Sequence, residues 1–151
     1  MYSREESKKI RQEFWISFGK NYPRKWLLYN TRIKDFSLKF SFSRKIAEVS
    51  IDLDSIDEIM RLYYFEKLQS LQTILKDEFL PEVVFAEAYE LENGKIISRI
   101  YVTKEGVNIH NKKDWPQVQE WLADKMDALE RFFLEYRDFI EQWGAGSRSK
   151  V

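Results

Sequence analysis

The sequence predicts an α+β domain, because stretches with the hydrophobic periodicity of strands alternate with stretches that have the periodicity of helices. Segments 36–42 and 46–54 carry an apolar residue at every second position, as half-buried strands do. An Asn-Gly pair at 93–94 joins two further strand-like segments. We expect a mostly antiparallel or mixed sheet of five or six strands, covered by a first and a middle helix and flanked by a long C-terminal helix. Residues 1–143 are expected to form a single domain, followed by a flexible tail at 144–151.

The first helix is predicted to begin after Ser3. Ser3 and Glu6 have the spacing of a capping box, in which each side chain accepts a hydrogen bond from the backbone amide of the other residue. We expect the helix to end at Gly19 or Pro23. Its apolar stripe, which would cover the sheet, recurs every four residues at Ile10, Phe14 and Phe18.

Three strands are expected after this helix, at residues 26–30, 36–42 and 46–54. In the second strand the Phe and Leu side chains face one way, and the Ser and Lys side chains face the other. In the third strand Glu48 and Asp52 share the less apolar face, about 13 Å apart if the strand is extended. At that separation the two carboxylates cannot bind one metal ion by themselves.

A long middle helix is expected from a cap at Asp54 or Ser55 to about Phe79. After the hairpin we expect a short strand at 107–110 and then the final helix, which begins at a cap at Asp114. The apolar residues of this helix alternate three and four positions apart. If part of that face is uncovered, it would form a homodimer or partner interface. The residues expected there are Phe133, Tyr136, Ile140 and Trp143.

The hairpin is predicted to turn at Asn93 and Gly94, with both residues at positive φ. That register places Glu87 opposite Ile100, on the more apolar side of the hairpin. A buried carboxylate costs several kcal/mol unless it is paired. We therefore expect Glu87 to form a structural ion pair or to lie at an edge, rather than to act in catalysis. Arg99 is expected on the other face, paired across the strands with Glu90.

Several classes of site are excluded by composition. The sequence has no cysteine and one histidine, His110, so a metal site built from thiolates and imidazoles cannot form. None of the glycines makes a phosphate-binding loop between a strand and a helix. We expect no cofactor. The N-terminus is charged, and no apolar run approaches the length of a membrane span, about 20 residues. We therefore expect a cytoplasmic protein that does not contact membranes.

Charge is distributed unevenly along the chain. Residues 1–45 carry twelve Lys and Arg against four Asp and Glu, whereas residues 46–143 carry eleven against twenty-one. The basic segment interleaves cations with aromatic residues, as in proteins that contact phosphates and stack bases. Because the total charge is zero, charges that are solvated or paired within the chain are favoured over a nucleic-acid contact. The residues that would contact nucleic acid are Arg24, Lys25, Trp26, Arg32, Lys34, Lys39, Arg44 and Lys45.

Four segments resemble a bacterial family classed as a domain of unknown function. They are EFWISFGK at 13–20, IKDFSLKFSF at 33–42, AEVSIDLD at 47–54 and ISRIYVTKEGVNIHNKKDWP at 97–116. Members of that family are small standalone proteins or C-terminal modules beside nuclease-type domains. The resemblance implies a noncatalytic binding or accessory module of a bacterial intracellular system, with nucleic acid or a protein as its partner.

The order of the elements also resembles the core of restriction-endonuclease-like folds, in which acidic residues and a lysine hold Mg²⁺. Asp35 opens the second strand, but Ser50 stands where that fold has its lysine, two residues after Glu48. The resemblance therefore implies a degenerate fold, in which Lys39 could replace the missing lysine. A weakly active Mg²⁺-dependent nuclease is the alternative function. Its candidate catalytic residues are Asp35, Lys39, Glu48, Asp52 and Glu87.

Overall fold

The computed structural model describes residues 2–142. Within that range it has an α+β fold, in which helices pack against one face of a four-stranded antiparallel sheet. The expected tail at 144–151, and Trp143, lie outside the described residues. The elements in chain order are α1 (Arg4–Asn21), β1 (Phe36–Phe42), β2 (Ile46–Leu53), α2 (Glu58–Gln69), α3 (Gln72–Glu78), β3 (Val84–Glu90), β4 (Ile96–Glu105), a 3₁₀ turn (Lys112–Asp114) and α4 (Trp115–Ile140).

The strand order is β1-β2-β4-β3, and all neighbouring strands are antiparallel. The alternation predicted for β1 and β2 is confirmed, since Leu38 lies opposite Ile51 and Phe40 opposite Val49 on one apolar face. That face continues onto β4 through Ile100 and Val102. All of these side chains except Phe40, which is half-buried, are completely buried beneath the helices. The opposite face of the sheet is polar, and we call it the polar sheet face.

The sheet has four strands and not five or six, because segment 26–30 does not form a strand. Leu28 has a φ of 47°, a left-handed conformation that interrupts an extended chain. A turn follows, in which the amide of Asn30 donates to the carbonyl of Leu27. The carbonyl of Leu28 accepts one hydrogen bond, at 3.0 Å, from the amide of Leu38 at the outer edge of β1. The segment therefore lies against the sheet without extending it.

Segment 107–110 is not a strand either. Its apolar residues Val107 and Ile109 are buried in the core, as the alternation predicts. Its backbone amides, however, donate mainly to side chains and to residues in turns. The amide of Asn108, for example, donates to Oδ2 of Asp114. Asp114 is used in this way instead of capping α4 through its side chain. The period-two pattern therefore marks an irregular segment with two buried side chains.

The capping box of Ser3 and Glu6 is confirmed, and α1 continues to Asn21. The middle helix differs from the prediction at both ends and in its interior. It begins after Asp57, whose carboxylate accepts from the amides of Ile59 and Met60. It breaks at Ser70 and resumes as α3. No Gly or Pro marks this break, so the sequence pattern reads as one continuous helix.

The helix α4 supplies a large part of the core. Met126, Phe132, Phe133 and Ile140 are all completely buried. The predicted uncovered patch is therefore wrong for Phe133 and Ile140, while Tyr136 is half-buried against Phe132. The helix turns its apolar stripe inward because it crosses the apolar sheet face, where its aromatic side chains meet those of β1 and the middle helices.

The hairpin between β3 and β4 forms, but with a three-residue turn. The amide of Gly94 donates to the carbonyl of Leu91, and the amide of Leu91 donates to the carbonyl of Lys95. Gly94 has a φ of 85°, and Asn93 is not at positive φ. Asn93 instead accepts a hydrogen bond from the amide of Lys95. This is the geometry of a type I turn followed by a left-handed glycine.

The longer turn changes the register that the sequence suggested. Tyr89 lies opposite Ile97, and Ala86 lies opposite Arg99, so Glu87 and Ala88 together face a single residue of β4. This β-bulge turns the side chain of Glu87 to solvent, where it is exposed. The prediction that Glu87 lies opposite Ile100 is therefore wrong, and Phe85 takes that position.

Candidate functional site

A buried charged network occupies the centre of the polar sheet face. Arg99 binds Asp52 with two hydrogen bonds, from Nε to Oδ1 and from Nη2 to Oδ2, each 2.8 Å long. Its Nη1 lies 3.4 Å from Oε1 of Glu48. The register explains the contact, because Asp52 is directly opposite Arg99 on the neighbouring strand. The predicted pair between Arg99 and Glu90 is wrong, since the carboxylates that Arg99 binds are Asp52 and Glu48 of β2.

Further polar groups complete the network. Ser50 donates to Oδ1 of Asp52 at 2.8 Å, and Thr103 donates to Oε2 of Glu48 at 3.0 Å. The Nζ of Lys39 lies 3.8 Å from Oδ2 of Asp52. Asp52 and Glu48 are only 1% and 5% exposed, yet every buried polar side-chain atom in the described part of the chain has a partner. The network is thus electrically balanced and satisfied without any further ligand.

Aromatic rings border this network on the side of β3 and β4. The guanidinium carbon of Arg99 lies 4.3 Å from the ring centre of Tyr89. Burial acts to lower the pKa of Arg99, but the hydrogen bonds and charge of Asp52 outweigh it, so the pKa lies above its usual value. Burial and the charge of Glu48 raise the pKa of Tyr101. Both shifts favour the charged guanidinium and the neutral phenol.

The acidic candidates predicted for a nuclease site do not come together. Asp35 is exposed and precedes β1. It lies opposite Asp54, whose backbone amide donates to the carbonyl of Asp35. Glu48 is six residues farther along β2, about 20 Å away. Lys39 lies beside Asp52 and not beside Glu48. Among residues 2–142, no group of three or more His, Asp and Glu side chains is placed to hold a metal ion.

The second candidate is an open groove of about 640 Å³ beside the C-terminal half of α4, which we call the basic groove. Three cations from two parts of the chain line it: Lys25, Arg32 and Arg137. None of these has a carboxylate within 4.0 Å in the part of the chain that the structure describes. No acidic residue lines the groove. Its remaining lining residues are Trp26, Leu27, Tyr29 and Asn30.

Local backbone conformation builds this groove. The left-handed residues Leu28 and Arg32 bend the segment between α1 and β1. A buried carboxylate of α4 holds that segment in place, because Glu130 accepts hydrogen bonds from both Arg24 and the amide of Leu27. The exposed ring of Tyr29 is left projecting at the groove. Arg137 could not be predicted from the sequence pattern, because only the tertiary fold brings α4 beside this segment.

The other predicted basic residues lie elsewhere or are neutralised. Arg24 pairs with Asp127 and Glu130 and stacks over the ring of Trp26, with 4.1 Å between its guanidinium carbon and the ring centre. The exposed residue Lys34 lies in the loop before β1. Arg44 and Lys45 are exposed in the turn between β1 and β2, at the far end of β1. The basic segment therefore does not form one continuous surface.

A family model matches residues 10–137 of the chain, and its description is a domain of unknown function (DUF4268). The chain belongs to this family. The match confirms the resemblance drawn from the sequence motifs and covers both the polar sheet face and the basic groove. No curated protein and no solved structure matches the chain. Within the described residues, none of the helices combines the length and apolarity needed to cross a membrane.

Proposed function

We propose that this DUF4268 domain is a noncatalytic binding module that takes single-stranded nucleic acid in the basic groove. The observation that carries the proposal is the set of three uncompensated cations around a groove without a carboxylate. Lys25, Arg32 and Arg137 would each contact a backbone phosphate, which is the sequence-independent part of nucleic-acid binding. The three cations supply this attraction even though the chain as a whole has no net charge.

Tyr29 is the side chain that favours a single strand over a duplex. Its side chain is 72% exposed and it lines the groove, so an unpaired base can stack on its ring in place of the ammonium of Lys39, which lies 5.9 Å from the ring centre. Trp26 is less available, because it stacks against Phe18 and carries the guanidinium of Arg24 on its ring. A base-paired strand does not present the face of a base to such a ring.

The experiment is a fluorescence anisotropy titration with a labelled oligothymidylate at several salt concentrations. With up to three phosphate contacts, the logarithm of the association constant should fall against the logarithm of salt concentration with a slope of about −2. The double variant K25E/R32E should lose most of the binding at low salt. A matched control is K20E/K113E, which changes the same number of exposed lysine or arginine charges away from the groove.

Equal loss of binding in both double variants would show a general charge effect and contradict the groove. Absence of binding at low salt would contradict the proposal as a whole. The variant Y29A separates the two contributions. It should weaken binding of the single strand by about tenfold, from the loss of one stacking contact, and leave the salt slope unchanged. An unchanged affinity would remove Tyr29 from the site.

We infer that the carboxylates of the polar sheet face do not support metal-dependent cleavage, which is the alternative function. Both oxygens of Asp52 already accept hydrogen bonds from Arg99, so a cation would have to displace the guanidinium. Plasmid DNA incubated with the protein and Mg²⁺ or Mn²⁺ should stay intact. Cleavage that disappears in E48Q/D52N but persists in E87Q would restore the nuclease hypothesis.

A further inference from the structure

We propose that the outer edge of β1, together with the apolar groove beside it, binds an extended acidic segment of a partner protein as an added strand. β1 is an edge strand, because the sheet order places β2 on one side of it and no strand on the other. Binding of this kind combines backbone hydrogen bonds along the edge with pockets for alternate side chains. This proposal does not depend on nucleic-acid binding in the basic groove.

The backbone of β1 has free hydrogen-bonding groups at this edge. In the β1–β2 ladder, hydrogen-bonded pairs alternate with pairs whose amides and carbonyls point away from the partner strand. Asp35 and Ser43 are hydrogen-bonded to β2, so the alternate residues Phe36, Leu38 and Phe40 direct their backbone amides and carbonyls away from β2. The carbonyl of Phe36 accepts from Thr31, and the amide of Leu38 donates to Leu28. In the described chain, the amide and carbonyl of Phe40 have no hydrogen-bond partner.

An apolar groove of about 240 Å³ lies directly beside these free groups. It is lined by Trp15 of α1, by Leu28 and Tyr29 of the preceding segment, and by β1 itself. A second open groove, along α1, shares Trp15 with the first and includes Ile16, whose side chain is 59% exposed. Alternate side chains of an added strand would therefore meet apolar surface on the α1 side of the sheet.

Charge around this edge selects the occupant. Lys8 and Arg11 line the groove along α1, and no acidic residue lines that groove or the one beside β1. Lys39 also lines the groove beside β1, but it already lies 3.8 Å from Asp52. Lys8 and Arg11 are exposed and have no ion pair within the described residues. A second copy would bring the same cations against themselves, which is unfavourable. An extended segment that has apolar residues at alternate positions and is flanked by acidic residues matches both the groove and the charge.

The other edge of the sheet does not offer the same opportunity. The β-bulge at Glu87 and Ala88 interrupts the regular ladder of β3. An incoming strand would meet an irregular backbone there, and edge strands with bulges are poor templates for pairing. The free edge of β1 is regular across Leu38 and Phe40.

The test uses a labelled synthetic peptide, together with amide hydrogen exchange. The peptide has Val or Phe at every second position and is flanked at both ends by Glu. Binding should slow exchange of the Phe40 amide by about tenfold or more, because that amide gains a hydrogen-bond partner. A peptide of the same pattern with Lys in place of Glu should not bind. The variant K8E/R11E should weaken binding about tenfold, whereas K20E/K113E should not.

Three results would overturn the proposal: no binding of the acidic peptide, binding without protection of Phe40, or binding that is equally weakened in both double variants. Protection of Phe40 by oligothymidylate would also overturn it, because the edge would then belong to a nucleic-acid surface. The nucleic-acid proposal has its own readout, since K25E/R32E should leave the affinity for the peptide within about twofold of the original.

Discussion

Cations serve two different purposes in the polar sheet face and in the basic groove. Arg99 is largely buried and holds two carboxylates, with Ser50 and Thr103 bonding to the same acids. Lys25, Arg32 and Arg137 surround a groove with no counter-charge. A buried charge must be paired to be tolerated, whereas an exposed charge needs no partner to be stable. The charges of the polar sheet face therefore stabilise the fold, whereas the cations of the basic groove are available to a ligand.

The strongest way to break the balanced cluster is to remove Arg99. The variant R99M should lower the free energy of unfolding by about 3–5 kcal/mol, because Glu48 would remain buried without a counter-charge and Asp52 would keep only the longer contact with Lys39. Urea denaturation measures the change. The triple variant R99M/E48Q/D52N should recover much of the loss. A loss below about 1 kcal/mol in R99M would mean that the network contributes no more than surface ion pairs do.

Glu130 is a buried, paired carboxylate that holds the segment lining the basic groove. The variant E130Q should cost about 1–3 kcal/mol, because it weakens the charged hydrogen bonds to Arg24 and to the amide of Leu27. It should also reduce oligothymidylate binding, because Leu27 lines the groove. The exposed residue Glu135, on the same helix, provides the control E135Q. Weakened binding in E135Q but not in E130Q would contradict this link.

Asp127 gives a smaller, pH-dependent effect. Hydrogen bonding to Arg24 lowers the pKa of Asp127 below its ordinary value, and Arg131 adds to the shift. A lowered pKa contributes stability above the pKa of the unfolded chain, and that stability is lost as pH falls through the folded pKa. D127N should therefore be less stable than the natural sequence at pH 7. Thermal unfolding should show the difference shrinking below about pH 4, and a difference constant with pH would contradict the assignment.

The smallest effect on stability is expected in the basic groove. R32E should change the free energy of unfolding by less than about 0.5 kcal/mol, because Arg32 is exposed and unpaired within the described chain. The same variant should weaken oligothymidylate binding. A large destabilisation, measured by urea denaturation, would place Arg32 among the structural cations and remove the contrast between the two regions.

Features set by neighbouring residues could be predicted from the sequence. The capping box of Ser3 and Glu6 depends on four residues, and the two faces of β1 and β2 depend on a period of two. The strand-like pattern of 26–30 failed because Leu28 takes a left-handed conformation, which alternation of apolar residues does not reveal. The Asn-Gly pair located the hairpin correctly, but the turn length and the bulge moved Glu87 to the outside.

The candidate sites were harder to predict, because their residues come from distant parts of the chain. Arg99 meets Asp52 only because β4 lies between β2 and β3, and the sequence does not state the strand order. Lys25 and Arg32 were among the predicted basic residues, yet Arg137 joins them through the packing of α4. Charge counts along the chain indicated that the two halves meet, and Arg24 with Glu130 is one place where they do.

The bulge in β3 also limits how many chains can associate. A sheet with two regular edges can accept a strand on each side, and copies can then join end to end into a filament. Here the edge formed by β1 is regular and the edge formed by β3 carries the bulge, so copies are not expected to pair the β1 edge of one domain with the β3 edge of the next. Complexes formed through the β1 edge should therefore be discrete, with one partner segment bound to each domain.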